Sequence, residues 1–189
     1  MNSDSLVETV SRFFTLLSER QIDYVLVGGI ALLQYVEGRN TEDIDLIMAV
    51  SALERLPELR VETRNVDFAR GKFGELRVDL LLTSNPLFDE VQKRFTTAKQ
   101  FLEHAIPCAT VEGLVLLKLY ALPSLYRQGN FIRVGLTEND IATLIHIHNP
   151  PLQPILDVLA NYLSTDDMAQ VRQIVKEIQQ RLERFRERG

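Results

Sequence analysis

Two aspartates stand one residue apart in DIDLIMAV, a segment otherwise apolar enough to form a buried strand. Because successive strand side chains point to opposite faces, Asp43 and Asp45 share one face. Carboxylates held this close repel each other, and burying them is costly unless something compensates. Surface exposure would remove the cost, whereas a divalent cation would compensate for it. RVDLLL carries a similar acid, Asp79, and all three carboxylates converge if the two strands are neighbours.

Three carboxylates are hard oxygen ligands of the kind that Mg²⁺ prefers, and Mn²⁺ accepts the same set. Two such ions about 3.5–4 Å apart are a common device for in-line displacement at phosphorus. Gly28 and Gly29 end a short apolar strand and lead into a predicted helix. Backbone N–H groups there can approach phosphate oxygens without an intervening Cβ. The same glycines could simply permit a tight strand–helix turn, a structural role that is compatible with phosphate binding.

The composition is that of an ordinary globular protein, with 46% hydrophobic and 25% charged residues. A net charge of −5 argues against a large nucleic-acid footprint. No signal peptide or membrane-spanning segment is expected. A lone cysteine, Cys108, favours a reducing cytoplasm. With one cysteine and three histidines, a structural zinc site is not expected.

The element order predicts an α/β (α+β) fold, in which a small mixed sheet flanked by helices precedes a C-terminal helical region. We expect residues 1–108 to form the catalytic domain and residues 109–189 the helical region. The last two predicted strands are joined as a hairpin around Gly74, and only helices are expected after residue 85. Strands are expected at 24–29, 43–50, 60–65, 68–73 and 75–83, and helices at 4–20, 30–38 (closed by Gly38), 110–122, 137–148, 155–163 and from about 166.

In this order, VGG, RNTEDIDL and RVDLLL resemble the nucleotidyltransferase superfamily that includes DNA polymerase β. The likeness covers roughly residues 22–83 and extends to small bacterial members, including those of toxin–antitoxin and abortive-infection systems. The resemblance implies a nucleotidyltransferase fold and a nucleoside triphosphate as substrate. It implies that Asp43, Asp45 and Asp79 are catalytic metal ligands, with Asp79 also helping to deprotonate the attacking hydroxyl. It also implies that Gly28 and Gly29 hold the triphosphate.

The bacterial branch carries Arg-x-Thr before the acidic pair, a helix with a lysine, and an acid near the start of the next helix. Arg39, Thr41, Lys118 and Asp140 fit these positions, and the first three are expected to contact the nucleotide. Each has a simpler alternative. Arg39 is a counter-ion for the acids, Thr41 a strand former, Lys118 the partner of an acid, and Asp140 part of a cap begun by Thr137.

These features predict a Mg²⁺-dependent enzyme that transfers a nucleoside monophosphate to a hydroxyl acceptor and releases pyrophosphate. The resemblance leaves the acceptor open between tRNA 3′ ends, protein hydroxyls and small molecules. The alternative is a toxin–antitoxin-type protein that uses the same fold to bind or regulate a partner protein, with little or no transfer. No membrane partner is expected.

Overall fold

The computed structural model describes residues 3–37, 43–101 and 103–186, so the predicted site residues Arg39 and Thr41, and the predicted helix end at Gly38, lie outside the described residues. The chain divides into two compact units, Met1–Thr110 and Val111–Gly189. It is a mixed α/β fold, with a seven-stranded mixed sheet in the first unit and helices in the second.

The sheet of the first unit has the strand order β3-β4-β5-β2-β1-β7-β6. Strands β2 and β5 pair in parallel, as do β1 and β7, and the other neighbours are antiparallel. The strands are β1 (Tyr24–Val27), β2 (Asp43–Met48), β3 (Leu59–Arg64), β4 (Phe68–Phe73), β5 (Leu76–Leu82), β6 (Thr96–Phe101) and β7 (His104–Ala109); the helices are α1 (Ser3–Glu19), α2 (Gly28–Leu32), α3 (Val50–Leu53) and α4 (Pro86–Arg94).

One face of the sheet belongs to the hydrophobic core. Helix α1 packs its apolar side against this face. The ring centroids of Phe13 on α1 and Phe73 on β4 are 4.9 Å apart. Ile44 of β2 and Val78 of β5 are fully buried. Because strand residues alternate, Asp43 and its equivalents in neighbouring strands belong to the opposite face. The burial of one face therefore fixes the register that displays the acids on the other.

The expectation of only helices after residue 85 is wrong, because β6 and β7 complete the sheet. Strand β6 reads TTAKQF, with partly or fully exposed side chains throughout, and lacks the apolar run that marks a strand. Strand β7 reads HAIPCA and contains Pro107, a residue that normally argues against a central strand. Both segments are strands because of long-range pairing rather than local preference.

Several helix boundaries also differ from the prediction, most of all the end of α2 and the start of the helix that holds Asp140. Helix α2 is only five residues long, ends at Leu32 and is followed by turns. Helix α6 (Phe131–His148) begins at Phe131 rather than Thr137, and the side chain of Asn130 accepts a hydrogen bond from the Arg133 N–H as its N-cap. The cap predicted at Thr137 is therefore wrong, and Asp140 lies in the interior of the helix.

The second unit consists of helices that pack on one another. Helix α5 contacts α6, α7 and α8, and α6 also contacts α8. Among the described residues, no helix is long and apolar enough to cross a membrane. The helices are α5 (Val111–Arg127), α6 (Phe131–His148), α7 (Leu152–Leu159) and α8 (Thr165–Arg186).

We predict that Phe13→Ala lowers the free energy of unfolding by about 3–5 kcal/mol, the usual cost of removing a buried phenylalanine. Phe13 is fully buried and packs against the tilted rings of Phe14 and Phe73. Phe185, whose side chain is mostly exposed, provides the control, and Phe185→Ala should change stability by less than about 0.5 kcal/mol. Urea denaturation followed by circular dichroism measures both. Equal losses for the two variants would contradict this account of the core.

Candidate active site

The three acids identified in the sequence lie on one face of two adjacent strands. In the parallel pair of β2 and β5, Asp45 is directly opposite Asp79, and Asp43 lies two residues earlier on β2. All three side chains are partly exposed, whereas Ile44 between the first two is fully buried. Residues opposite each other in neighbouring strands share a face, so the structure brings the three carboxylates together.

The glycine turn lies beside this group of acids. Strand β1 ends at Val27, which is paired with Asp45, and Gly28 follows with a φ of +65°. A Cβ on Gly28 would lie 2.0 Å from Oδ2 of Asp45, so glycine is required for space as well as for conformation. The N–H of Gly29 donates a hydrogen bond of 3.4 Å to the same Oδ2. The carboxylate of Asp45 therefore rests against the turn, in direct contact with its backbone.

Two arginines that the sequence analysis did not single out hold the other two acids. Arg70 of β4 donates from Nε to Oδ1 of Asp79 at 2.7 Å and from Nη2 to Oδ2 at 2.9 Å. Nε of Arg77 on β5 lies 2.7 Å from Oδ1 of Asp43. Hydrogen bonding to Asp79 raises the pKa of Arg70, as does the negative charge of Asp79 and then of Asp43 and Asp45. Arg70 therefore interacts electrostatically with all three acids.

A signal for Arg70 was present in the sequence. A two-strand hairpin turning at Gly74 places residue 70 opposite residue 79, and this is the register observed. Gly74 has a φ of +59°, which the turn requires. Pairing Arg70 with Asp79 needed only the hairpin already expected and a count of residues from its turn.

The donor chemistry of the acids fits a divalent cation, since three carboxylates share a face beside a turn too tight for a Cβ. In the ranges described, however, no three side chains of the histidine, cysteine, aspartate or glutamate type form a ready-made metal site. Arg70 and Arg77 contact oxygens of Asp79 and Asp43 that a metal would use. A metal at these acids would therefore compete with the two arginines for those oxygens.

Lys118 belongs to the second unit and contacts an acid there. Its Nζ lies 2.7 Å from Oδ2 of Asp140, and the two side chains are 16% and 4% exposed. The contact matches the simpler alternative given in the sequence analysis, in which Lys118 is the partner of an acid. The pair is satisfied within the helices of its own unit, and the role of Lys118 toward a nucleotide stays a prediction.

We predict that Gly28→Ala destabilises the first unit more than Gly74→Ala does. Both glycines have positive φ, so each alanine carries a conformational cost of about 1–2 kcal/mol. A Cβ on Gly74 would meet nothing within 4 Å, whereas one on Gly28 would collide with Asp45. The difference in unfolding free energy between the variants therefore measures the close approach alone. Equal destabilisation would show that Asp45 does not press on the turn.

No protein-family model matches this chain, and a sequence search of curated proteins finds no match. Solved structures do match it. ANT(2″)-Ia in complex with adenylyl-2″-tobramycin superposes with a TM-score of 0.55 at 13% identity, covering 89% of this chain and 98% of that one. An antigenic nucleotidyltransferase-like protein from Paracoccidioides brasiliensis gives 0.54 at 20% identity, covering 90% and 93%.

The lincosamide antibiotic adenylyltransferase LnuA, with lincomycin bound, gives a TM-score of 0.52 at 18% identity, covering 74% of this chain and 96% of that one. The Paracoccidioides protein is nucleotidyltransferase-like and LnuA is an adenylyltransferase, and each of the three structures is matched over most of its length. At such low identities the likeness establishes architecture. The chain therefore has the nucleotidyltransferase fold that the resemblance predicted.

Proposed function

We propose that this chain transfers a nucleoside monophosphate from a nucleoside triphosphate to a hydroxyl acceptor, with release of pyrophosphate and with divalent-metal dependence. The observation that carries the proposal is the register that sets Asp45 opposite Asp79, against the turn at Gly28. The nucleotidyltransferase fold of the matched structures supports it independently. A lone cysteine is consistent with work in the cytoplasm.

In this proposal each acid has a defined task. Asp43, Asp45 and Asp79 would hold Mg²⁺ or Mn²⁺, which neutralises charge on the phosphates and makes the acceptor hydroxyl more acidic. Asp79 receives the hydroxyl proton. The acceptor oxygen forms a bond to the α-phosphorus as the bond to the bridging oxygen breaks, and pyrophosphate leaves with that electron pair. Gly28 and Gly29 keep side chains away from the phosphates, so that their oxygens can approach the backbone.

The acceptor is proposed from the matched structures. The ANT(2″)-Ia structure contains an adenylylated tobramycin. The LnuA structure is that of a lincosamide antibiotic adenylyltransferase with lincomycin bound. These support ATP as the nucleotide and a small-molecule hydroxyl as the acceptor. The net charge of −5 is in keeping with a small acceptor rather than an extended nucleic acid. To distinguish these acceptors, the chain is incubated with labelled nucleotide and, in separate reactions, with tRNA, with protein and with small-molecule acceptors. The acceptor class is the one that becomes labelled.

A second candidate is the toxin–antitoxin-type protein that binds a partner and transfers little or nothing. One observation favours it, namely that Arg70 and Arg77 already neutralise Asp79 and Asp43. A chain that had lost metal binding would benefit from such permanent counter-ions. The two predictions below separate the candidates, because the binding protein responds to neither metal nor nucleotide.

We predict that Mg²⁺ together with a nucleoside triphosphate raises the melting temperature by several degrees. A ligand present at about 100 times its dissociation constant stabilises the native state by about 2.7 kcal/mol. For a chain of this length each kcal/mol corresponds to roughly 2–4 °C. Thermal denaturation with each of the four triphosphates measures the shift, and Mg²⁺ alone and triphosphate with EDTA are the controls. The absence of any shift with all four would favour the second candidate.

We predict that Asp45→Asn abolishes transfer of labelled nucleoside monophosphate and leaves the fold intact. The amide removes the charge that a metal needs but keeps the shape of the side chain beside Gly28. Asp89→Asn is the matched control, since Asp89 belongs to the same unit, is partly buried like Asp45, and pairs with Lys93 on α4. Radiolabel transfer and circular dichroism measure both variants. Equal labelling by wild type and Asp45→Asn would remove Asp45 from the mechanism.

A further inference from the structure

Basic side chains and carboxylates lie side by side in two rows across the face of the sheet that carries the acids. One row runs from Arg70 on β4 through Asp79 on β5 to Asp45 on β2. The next row runs from Lys72 through Arg77 to Asp43. Each arginine is thus directly opposite an acid in the neighbouring strand, and its guanidinium group contacts that acid. These arginine–carboxylate pairs offset the repulsion among the three negative charges on the adjacent strands β2 and β5.

The arginines and a metal ion would compete for the same atoms. Arg70 engages both oxygens of Asp79, and Arg77 lies against Oδ1 of Asp43. Asp79, held through both oxygens by the guanidinium fork of Arg70, has its best lone pairs occupied. A divalent cation that binds through the lone pairs facing Arg70 or Arg77 has to displace that guanidinium group.

The cost of that exchange is small. The side chains of Arg70 and Arg77 are 55% and 54% exposed, against 26% for Asp79 and 38% for Asp43. Ion pairs with one partner mainly in solvent contribute little to stability, so the guanidinium groups can leave without disturbing the core. The backbone of each arginine stays paired opposite the acid, so a displaced guanidinium group remains within a side-chain length of it. A planar guanidinium also matches the geometry of phosphate oxygens as well as it matches a carboxylate.

We propose that Arg70 and Arg77 are displaceable counter-ions that hold Asp79 and Asp43 in the metal-free chain and pass to the triphosphate when metal and nucleotide bind together. This inference rests on the proposed function. It makes each arginine an obstacle to metal alone and a ligand of the metal–nucleotide complex. Metal alone therefore binds weakly, and the site assembles only when the phosphates are present to receive the guanidinium groups.

The test is to measure binding of Mn²⁺ alone by electron paramagnetic resonance of the free ion, and binding of the preformed Mn²⁺–nucleotide complex by isothermal titration calorimetry. For Arg70→Gln we expect Mn²⁺ alone to bind roughly three- to fivefold more tightly, because an exposed competing ion pair has been removed. Mn²⁺ with α,β-methylene triphosphates, tried with each of the four bases, should bind about tenfold more weakly, because a charge-assisted contact to phosphate is lost. Arg77→Gln should change both affinities in the same directions.

Arg60→Gln is the matched control. Arg60 lies opposite Lys72 on the same side of the sheet and pairs with Glu62 rather than with the three acids. The Arg60→Gln substitution therefore removes one positive charge from the same surface without freeing a proposed metal ligand. Arg70→Lys keeps the charge but loses the fork, and it should bind the metal–nucleotide complex with intermediate affinity. Melting curves show whether each variant is folded.

Opposite shifts in the two affinities for Arg70→Gln, absent in Arg60→Gln, would support the inference. If wild type binds the metal–nucleotide complex but Arg70→Gln behaves like Arg60→Gln, the inference fails and the proposed function stands. If Arg70→Gln weakens Mn²⁺ alone, Arg70 is a structural support and the inference is overturned. If no variant binds Mn²⁺ with or without nucleotide, the proposed function fails and the inference fails with it.

Discussion

Mutual repulsion among three carboxylates is the constraint around which the first unit is arranged. Asp43, Asp45 and Asp79 lie at neighbouring positions on one side of a sheet, and their charges must be compensated for the strands to pair. The described structure supplies that compensation locally. Asp45 accepts from the Gly29 N–H, and guanidinium groups hold the other two acids.

The topology of the sheet explains how residues distant in sequence reach this place. Strands β2 and β5 are parallel neighbours, so the chain must cross between them, and β3 and β4 form that crossing as an antiparallel meander. The same meander brings Arg70 to the edge of β5 opposite Asp79. Strand β1 lies on the other side of β2 and ends at the glycine turn. One excursion of the chain thus provides both the third acid and its counter-ion.

Part of this architecture could be predicted from sequence because the signals were local. Alternation of apolar and charged residues in DIDL and RVDL indicated strands with one acidic face, and Gly74 indicated the hairpin. Strands β6 and β7 were missed because TTAKQF lacks an apolar face and Pro107 argues against a strand. The start of α6 was missed because Phe131 and Ile132 are apolar yet exposed, which obscured the helical stripe. The arginines were overlooked because their role depends on register between strands rather than on any motif.

The most direct test is a crystal structure of the chain with Mn²⁺ and an α,β-methylene nucleoside triphosphate, with anomalous scattering used to place the metal. The account predicts an anomalous peak about 2.0–2.3 Å from oxygens of Asp43, Asp45 and Asp79, with Arg70 displaced from Asp79. A structure with nucleotide bound, no peak at these acids, and Arg70 still engaging both oxygens of Asp79 would contradict it.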